Sequence, residues 1–277
     1  LAGVGGCAFA FAGIGNALGE APGMTFVVTI VAFVFVCIGG VCSVVHLATP
    51  KHAWAVVTHI LSFSGISVEL IMLGIACALM VVFVGCDVLG LPTIVKLASG
   101  LLGALSGVCL AFATGHGYLI SSKPTWNTMK LPVAYTATSL VGGAFLYLFV
   151  ASMLGANGFV MTQISGIALL CCFFNVVALG AYIRHLGRDI ARTNKKLYER
   201  GIVACGMVAT LVLMAVLYAM AMVSSAPDLA FSLVAFVGCA VALIGGLALR
   251  MLMWIVGAGF LSLFDQARDH RSAILND

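Results

Sequence analysis

Four ionisable side chains fall inside or at the ends of long apolar runs: His46, Glu69, His116 and Arg250. A charged or strongly polar group at membrane depth costs several kcal/mol, so each needs either a compensating partner or a function. Glu69 sits among Ile66, Val68, Leu70, Ile71 and Met72, and of the nine acidic residues it alone is expected deep within a span. An imidazole together with a buried carboxylate suits the oxidation of a lipid-soluble quinol, which releases two electrons and two protons. The imidazole accepts from or hydrogen-bonds one hydroxyl, and the carboxylate carries protons toward water. Tyr118, two residues past His116, adds a phenol at the same depth. Plainer roles compete with this one. Glu69 could be a neutral carboxyl bonding two helices, an interfacial histidine is often structural, and Arg250 could extend to lipid headgroups.

The composition explains why so few charges matter. Of 277 residues, 63% are hydrophobic and only 8% charged, and mean hydropathy is +1.20. Such a chain has too little polar surface for a water-soluble globule, and disorder, collagen-like repeats and a small disulfide scaffold are excluded by the same composition. A net charge of +4 without a basic soluble face argues against a nucleic-acid partner. The ten cysteines lie in or beside apolar segments without CxxC or Cys/His ligand spacing, so they read as small hydrophobes rather than metal or cluster ligands. No P-loop, GxSxG, HExxH or nucleotide fingerprint occurs.

The elements that position the four groups follow from the bilayer. A hydrocarbon core about 30 Å thick needs about 20 apolar residues in a helix, because lipid offers the backbone no hydrogen-bond partners. Eight runs are expected to span, at 1–18, 24–47, 62–86, 92–120, 131–154, 158–183, 201–224 and 229–256. The fold class is therefore an all-α polytopic membrane protein, a bundle of eight transmembrane helices forming a single integral membrane domain over residues 1–277. The first run is short, consistent with a trimmed start. Turn residues punctuate the runs, among them Gly19-Glu20-Ala21-Pro22-Gly23, Thr49-Pro50-Lys51-His52 and Ser121-Ser122-Lys123-Pro124. Glycine pairs at 5–6, 39–40, 142–143 and 245–246, with the Gly103/Gly107 step, are expected to let helix backbones approach closely.

In this ladder His46 ends the second helix, Glu69 begins the third, and His116 and Arg250 lie near the ends of the fourth and eighth. All four converge on one rim. The same rim carries the basic loops and the C-terminal tail, with Lys51, Lys123, Lys130, Arg184, Arg188, Arg192, Lys195, Lys196, Arg200, Arg268 and Arg271, while the opposite face holds little but Lys96. The positive-inside rule assigns the basic rim to the cytoplasm, with lipid headgroups as its first partners and an acidic subunit as the alternative.

Helix two ending in His46-Leu47-Ala48-Thr49-Pro50, then Ala53-Trp54, then Gly65-Ile66-Ser67-Val68-Glu69-Leu70, resembles the membrane anchor subunit of dimethyl sulfoxide reductases, a DmsC-like pattern. The segment Lys123-Pro124-Thr125-Trp126, Thr128, Leu131-Pro132 and Gly142-Gly143 is similar to the family's stretch between helices four and five, and Gly246 with Arg250 is similar in placement to its last helix. The resemblance implies an eight-helix anchor, without haem or metal of its own, in the inner membrane of a prokaryote. It implies that the anchor oxidises menaquinol and passes electrons to a four-cluster, ferredoxin-like iron–sulfur subunit, which feeds a molybdopterin catalytic subunit in anaerobic respiration. Such a chain does not itself reduce the terminal substrate. His46 and Glu69 match the family's quinol-site His and Glu; His116, Tyr118 and Arg250 are added on depth and face alone.

The basic loop between helices six and seven departs from the family pattern. The family's quinol rim meets the iron–sulfur subunit, usually outside the cytoplasmic membrane, whereas the charge distribution points that rim inward. Neutralisation of the basic residues by an acidic partner reconciles the two, and is the favoured reading. Two other classes remain open. A haem-b anchor needs facing histidine pairs, for which only His46 and His116 serve, and a secondary transporter would place its polar groups near the midplane rather than at one end.

Overall fold

The computed structural model describes residues 1–45, 64–121, 125–187, 195–224 and 227–275. Among these residues every regular element is helical. They are α1 (Ala2–Ala17), α2 (Pro22–Val45), α3 (Gly65–Leu89), α4 (Thr93–His116), α5 (Lys130–Met153), α6 (Gly158–Gly187), α7 (Lys195–Gly201 continuing through Ile202–Ala209 and Thr210–Val223) and α8 (Leu229–Leu275). Seven of these are long and apolar enough to cross a bilayer, and α1 is a shorter apolar helix. The chain is thus a polytopic helical membrane protein.

The short helix is the innermost one. From Ala2 through Gly13 every residue of α1 is buried, and α1 packs against α2, α4 and α5. Its alanines and glycines permit this, since a helix surrounded on all sides needs small side chains to admit its neighbours. A Cβ placed on Gly107 of α4 would collide with the Gly6 backbone, and one on Gly143 of α5 would come within 2.6 Å of Ala8 N. Gly107 and the pair members Gly5, Gly6, Gly39, Gly143 and Gly245 therefore lie at backbone crossings, as expected; Gly103 instead meets the Phe9 ring, Gly40 and Gly142 meet the Leu73 and Val4 side chains, and Gly246 has open space around it. By contrast α3 lies at the periphery, with Val81, Val82 and Val88 exposed.

On the far side α5 contacts α6 and α8, and α7 packs against both α6 and α8. The middle of α7, Ile202–Ala209, is wound as a π-helix. Its wider turn leaves carbonyls without their usual partners, and two side chains compensate. Asn175 Nδ2 of α6 donates to Gly206 O at 2.7 Å and Thr210 Oγ1 donates to the same oxygen at 2.9 Å. Helix α8 exceeds one bilayer crossing: its 47 residues correspond to about 70 Å at the usual rise per residue.

The rim formed by the α1–α2, α3–α4 and α5–α6 turns is tied together by polar groups. Lys96 of α4, only 6% exposed, donates to both Asp87 carboxylate oxygens at 2.6 and 2.7 Å and to Thr25 Oγ1 at 3.3 Å. Its ammonium also lies 5.0 Å from the centroid of the Phe83 ring. Glu20 Oε1 accepts from the backbone N–H groups of Ala21 at 3.1 Å and Asn157 at 3.2 Å, joining two turns distant in sequence. Lys96 thus belongs with the buried ionisable groups, a position that residue depth alone did not single out.

Candidate functional site

The opposite rim, where α2 ends and α3 begins, holds Glu69. Ser64 caps α3, accepting from Ser67 N–H at 3.3 Å, and its hydroxyl shares a 2.7 Å hydrogen bond with that of Ser67. This cap starts the helix immediately before Gly65, so that Gly65 and Glu69 stand one turn apart on one face. The Gly65 face lies against the end of α4: a Cβ there would reach within 2.8 Å of Gly117 Cα. Close backbone contact at this point brings the start of α3 beside Tyr118, the residue following Gly117.

Glu69 itself is half-buried, and its Oε1 accepts from Ser43 Oγ in the last turn of α2 at 3.3 Å. Arg250 of α8 lies within Coulombic reach of the Glu69 carboxylate, and both act electrostatically on Tyr118 and Tyr135. Tyr118, just past the end of α4, has its phenol lifted above the ordinary value of 10.0 mainly by burial and further by Glu69, with Arg250 opposing. It therefore stays protonated at neutral pH and can donate a hydrogen bond, but it is no base.

An aromatic group braces this rim. The Tyr118 ring meets Tyr135 at 6.0 Å and Trp126 edge-on at 5.9 Å, and Trp126 meets Trp254 of α8 at 5.6 Å. Trp126 Nε1 donates to Met253 O at 2.9 Å, and the Tyr135 hydroxyl contacts Met253 Sδ at 3.4 Å. Above Tyr135 the Arg250 guanidinium lies 5.2 Å from the ring centroid. The connecting segment between α4 and α5, α5 itself and α8 are so fastened to one another around the arginine.

Of the residues proposed from sequence, the structure places Glu69, Tyr118 and Arg250 at the same rim, with Tyr118 and Arg250 both against Tyr135. His116 stands apart: it is exposed and stacks on Phe112, one turn back in its own helix, with ring centroids 6.1 Å apart. His46 lies outside the described residues, three positions after Ser43. Sequence reasoning missed Ser43 and Tyr135. The i, i+3 relation of Ser43 to His46 in a helical run could have drawn attention to the serine. Nothing local marks Tyr135, because its role comes from a residue on α8 more than one hundred positions away. An apolar groove of ≈ 370 Å³ between α3 and α4 is lined by Leu79, Val82, Ile94, Val95 and Leu102 and lies toward the other rim. All ten cysteines are free, and among the described residues no three His, Cys, Asp or Glu side chains gather closely enough to hold a metal ion.

Residues 9–258 match the model of the DMSO reductase anchor subunit family, DmsC. The chain belongs to this family. It is accordingly a multi-pass membrane anchor of a DMSO reductase-type complex, associated with the other subunits of that complex. The matched region contains α2 to α7 complete and takes in Glu69, Tyr118, Tyr135, Arg250 and Trp254. Searches of curated proteins and of solved structures returned no match.

Proposed function

We propose that this anchor is the menaquinol-oxidising subunit of a molybdenum-dependent respiratory reductase in the cytoplasmic membrane of a prokaryote. Electrons leave the quinol for a four-cluster, ferredoxin-like iron–sulfur subunit and continue to a molybdopterin subunit, which reduces the terminal acceptor. The observation that carries this reading is the Glu69 rim. Among the described residues a carboxylate at membrane depth there has one side-chain hydrogen bond, from Ser43, and lies within electrostatic range of a guanidinium and a protonated phenol. Unlike the buried Glu20, Glu69 is half-buried, so its carboxylate can exchange protons with the rim and with a visiting ligand.

In the proposed reaction the quinol loses two electrons and two protons and becomes quinone. Glu69 takes the proton of one hydroxyl, His46 that of the other, and each passes it toward water at the rim. Arg250 stabilises negative charge developing on the quinol oxygens, and Tyr118 donates a hydrogen bond to one of them. Both electrons leave through the partner subunit, so this chain ends the cycle unchanged.

The test uses the assembled complex. Glu69→Gln and His46→Ala should each suppress menaquinol-dependent reduction while leaving reduction driven by an artificial donor, which bypasses the anchor, in place. Undiminished quinol oxidation in both variants would reject the assignment.

A further inference from the structure

The arginine of the rim is exposed, and its only ring contact among the described residues is the face of Tyr135. Arginine side chains have much rotamer freedom, and one at the end of a membrane helix can extend to the headgroups instead of facing a carboxylate. What keeps Arg250 against the bundle is therefore a question separate from what it does. Tyr135 is 4% exposed, its ring held by packing against Tyr118, with its hydroxyl in contact with Met253 Sδ one turn along from Arg250. This buried ring presents its π-face to the guanidinium at 5.2 Å, inside the range of a cation–π interaction.

We propose that Tyr135 is a positioning residue: its ring holds the Arg250 guanidinium turned toward Glu69 and away from the lipid headgroups, so that the quinol meets a preset cation. This rests on the reading of the Glu69 rim as the quinol site. Tyr135 touches no reacting atom in this scheme and acts only through Arg250. The hydroxyl contributes little, since its partner is a thioether, a weak acceptor, whereas the ring face is essential.

The experiment is a double-mutant cycle in the complete complex, reading the KM for a menaquinol analogue separately from kcat. Tyr135→Phe keeps the ring and should stay within about twofold of the parent. Tyr135→Leu removes it and should raise KM about two- to thirtyfold, the span of cation–π strengths expressed as a ratio. Arg250→Gln should do at least as much, and the double variant should be no worse than Arg250→Gln alone, because the ring has nothing left to hold. If Tyr135→Leu prevents assembly, Tyr135→Met, closer in volume, replaces it in the cycle. Additive effects of the two substitutions, or a Tyr135→Phe defect equal to that of Tyr135→Leu, would overturn the proposal. Glu69→Gln, measured in parallel, separates the two ideas. If it leaves quinol oxidation intact, the site reading itself fails; if it abolishes oxidation while the cycle is additive, only the role of Tyr135 fails.

Discussion

The two rims of the bundle treat charge in opposite ways. On one, Lys96 is surrounded by both oxygens of Asp87, by Thr25 and by the Phe83 ring, so its three ammonium donors are accounted for. Glu20 on the same side accepts two backbone N–H groups through one oxygen, while its buried Oε2 and the Tyr147 hydroxyl have no hydrogen-bond partner among the described residues. On the other rim, among the described residues, Glu69 has a single hydrogen bond, from Ser43, and Arg250 meets the face of the Tyr135 ring rather than a carboxylate at salt-bridge distance. Lys96, whose donors are all filled by the protein, is committed to holding the fold together. Glu69, half-buried at the edge of the bilayer, is placed to exchange protons with a visitor.

This contrast can be broken most directly at Glu69. Conversion to Gln should lower quinol-driven turnover by roughly 10²- to 10⁴-fold, the range for loss of a general base, with the amount of assembled complex unchanged; steady-state assay of purified complex decides. The opposite signature is expected from Lys96→Met. Removing one member of a buried pair strands Asp87 and should destabilise the anchor by about 3 kcal/mol, seen as a lower melting temperature in detergent. Adding Asp87→Leu should recover much of it. If Lys96→Met instead reduced quinol turnover per assembled complex, the division between a structural and a chemical rim would fail.

Smaller effects sharpen the comparison. Glu20→Ala orphans two backbone donors and should cost about 2 kcal/mol, whereas Glu20→Gln retains an acceptor oxygen and should be near neutral; paired thermal melts read both. Ser43→Ala withdraws one hydrogen bond from Glu69 and should change quinol turnover only severalfold, consistent with about 1 kcal/mol for a single bond. The smallest change is expected from Tyr118→Phe in its pH dependence. Because the phenol is raised above 10.0, it carries its proton throughout the neutral range, and the profile of quinol oxidation should keep its shape even if its height falls. A shift of the profile near neutrality would show that Tyr118 titrates there after all.

Much of this protein could be read along the chain. Runs of apolar residues separated by Pro/Gly turns specify helices of bilayer length, because a lipid solvent leaves the backbone no other way to satisfy its own polar groups. The glycine steps could be read as close crossings for a similarly local reason: absence of a side chain is visible without knowing the neighbour. The placement of Glu69 near one rim follows from helix length alone. The burial of Lys96 was not legible in the same way, since a lysine a few residues inside a span is compatible with reaching headgroups as well as with a partner; Asp87, nine residues earlier and across a turn, chooses between them.

By itself the sequence determined the solvent, the number of apolar helices, the lopsided distribution of charge and the presence of an isolated acid at membrane depth, since each is a property of composition and of spacing along one axis. Only the tertiary structure decided that α1 lies at the centre, that His116 turns to Phe112 while Arg250 turns to Tyr135, and that α3 meets α4 through Gly65 and Gly117. Helical periodicity assigns a residue to a height and a face. Which neighbour that face meets depends on the rotation and order of the helices, and these are set by the packing of distant segments rather than by any local pattern.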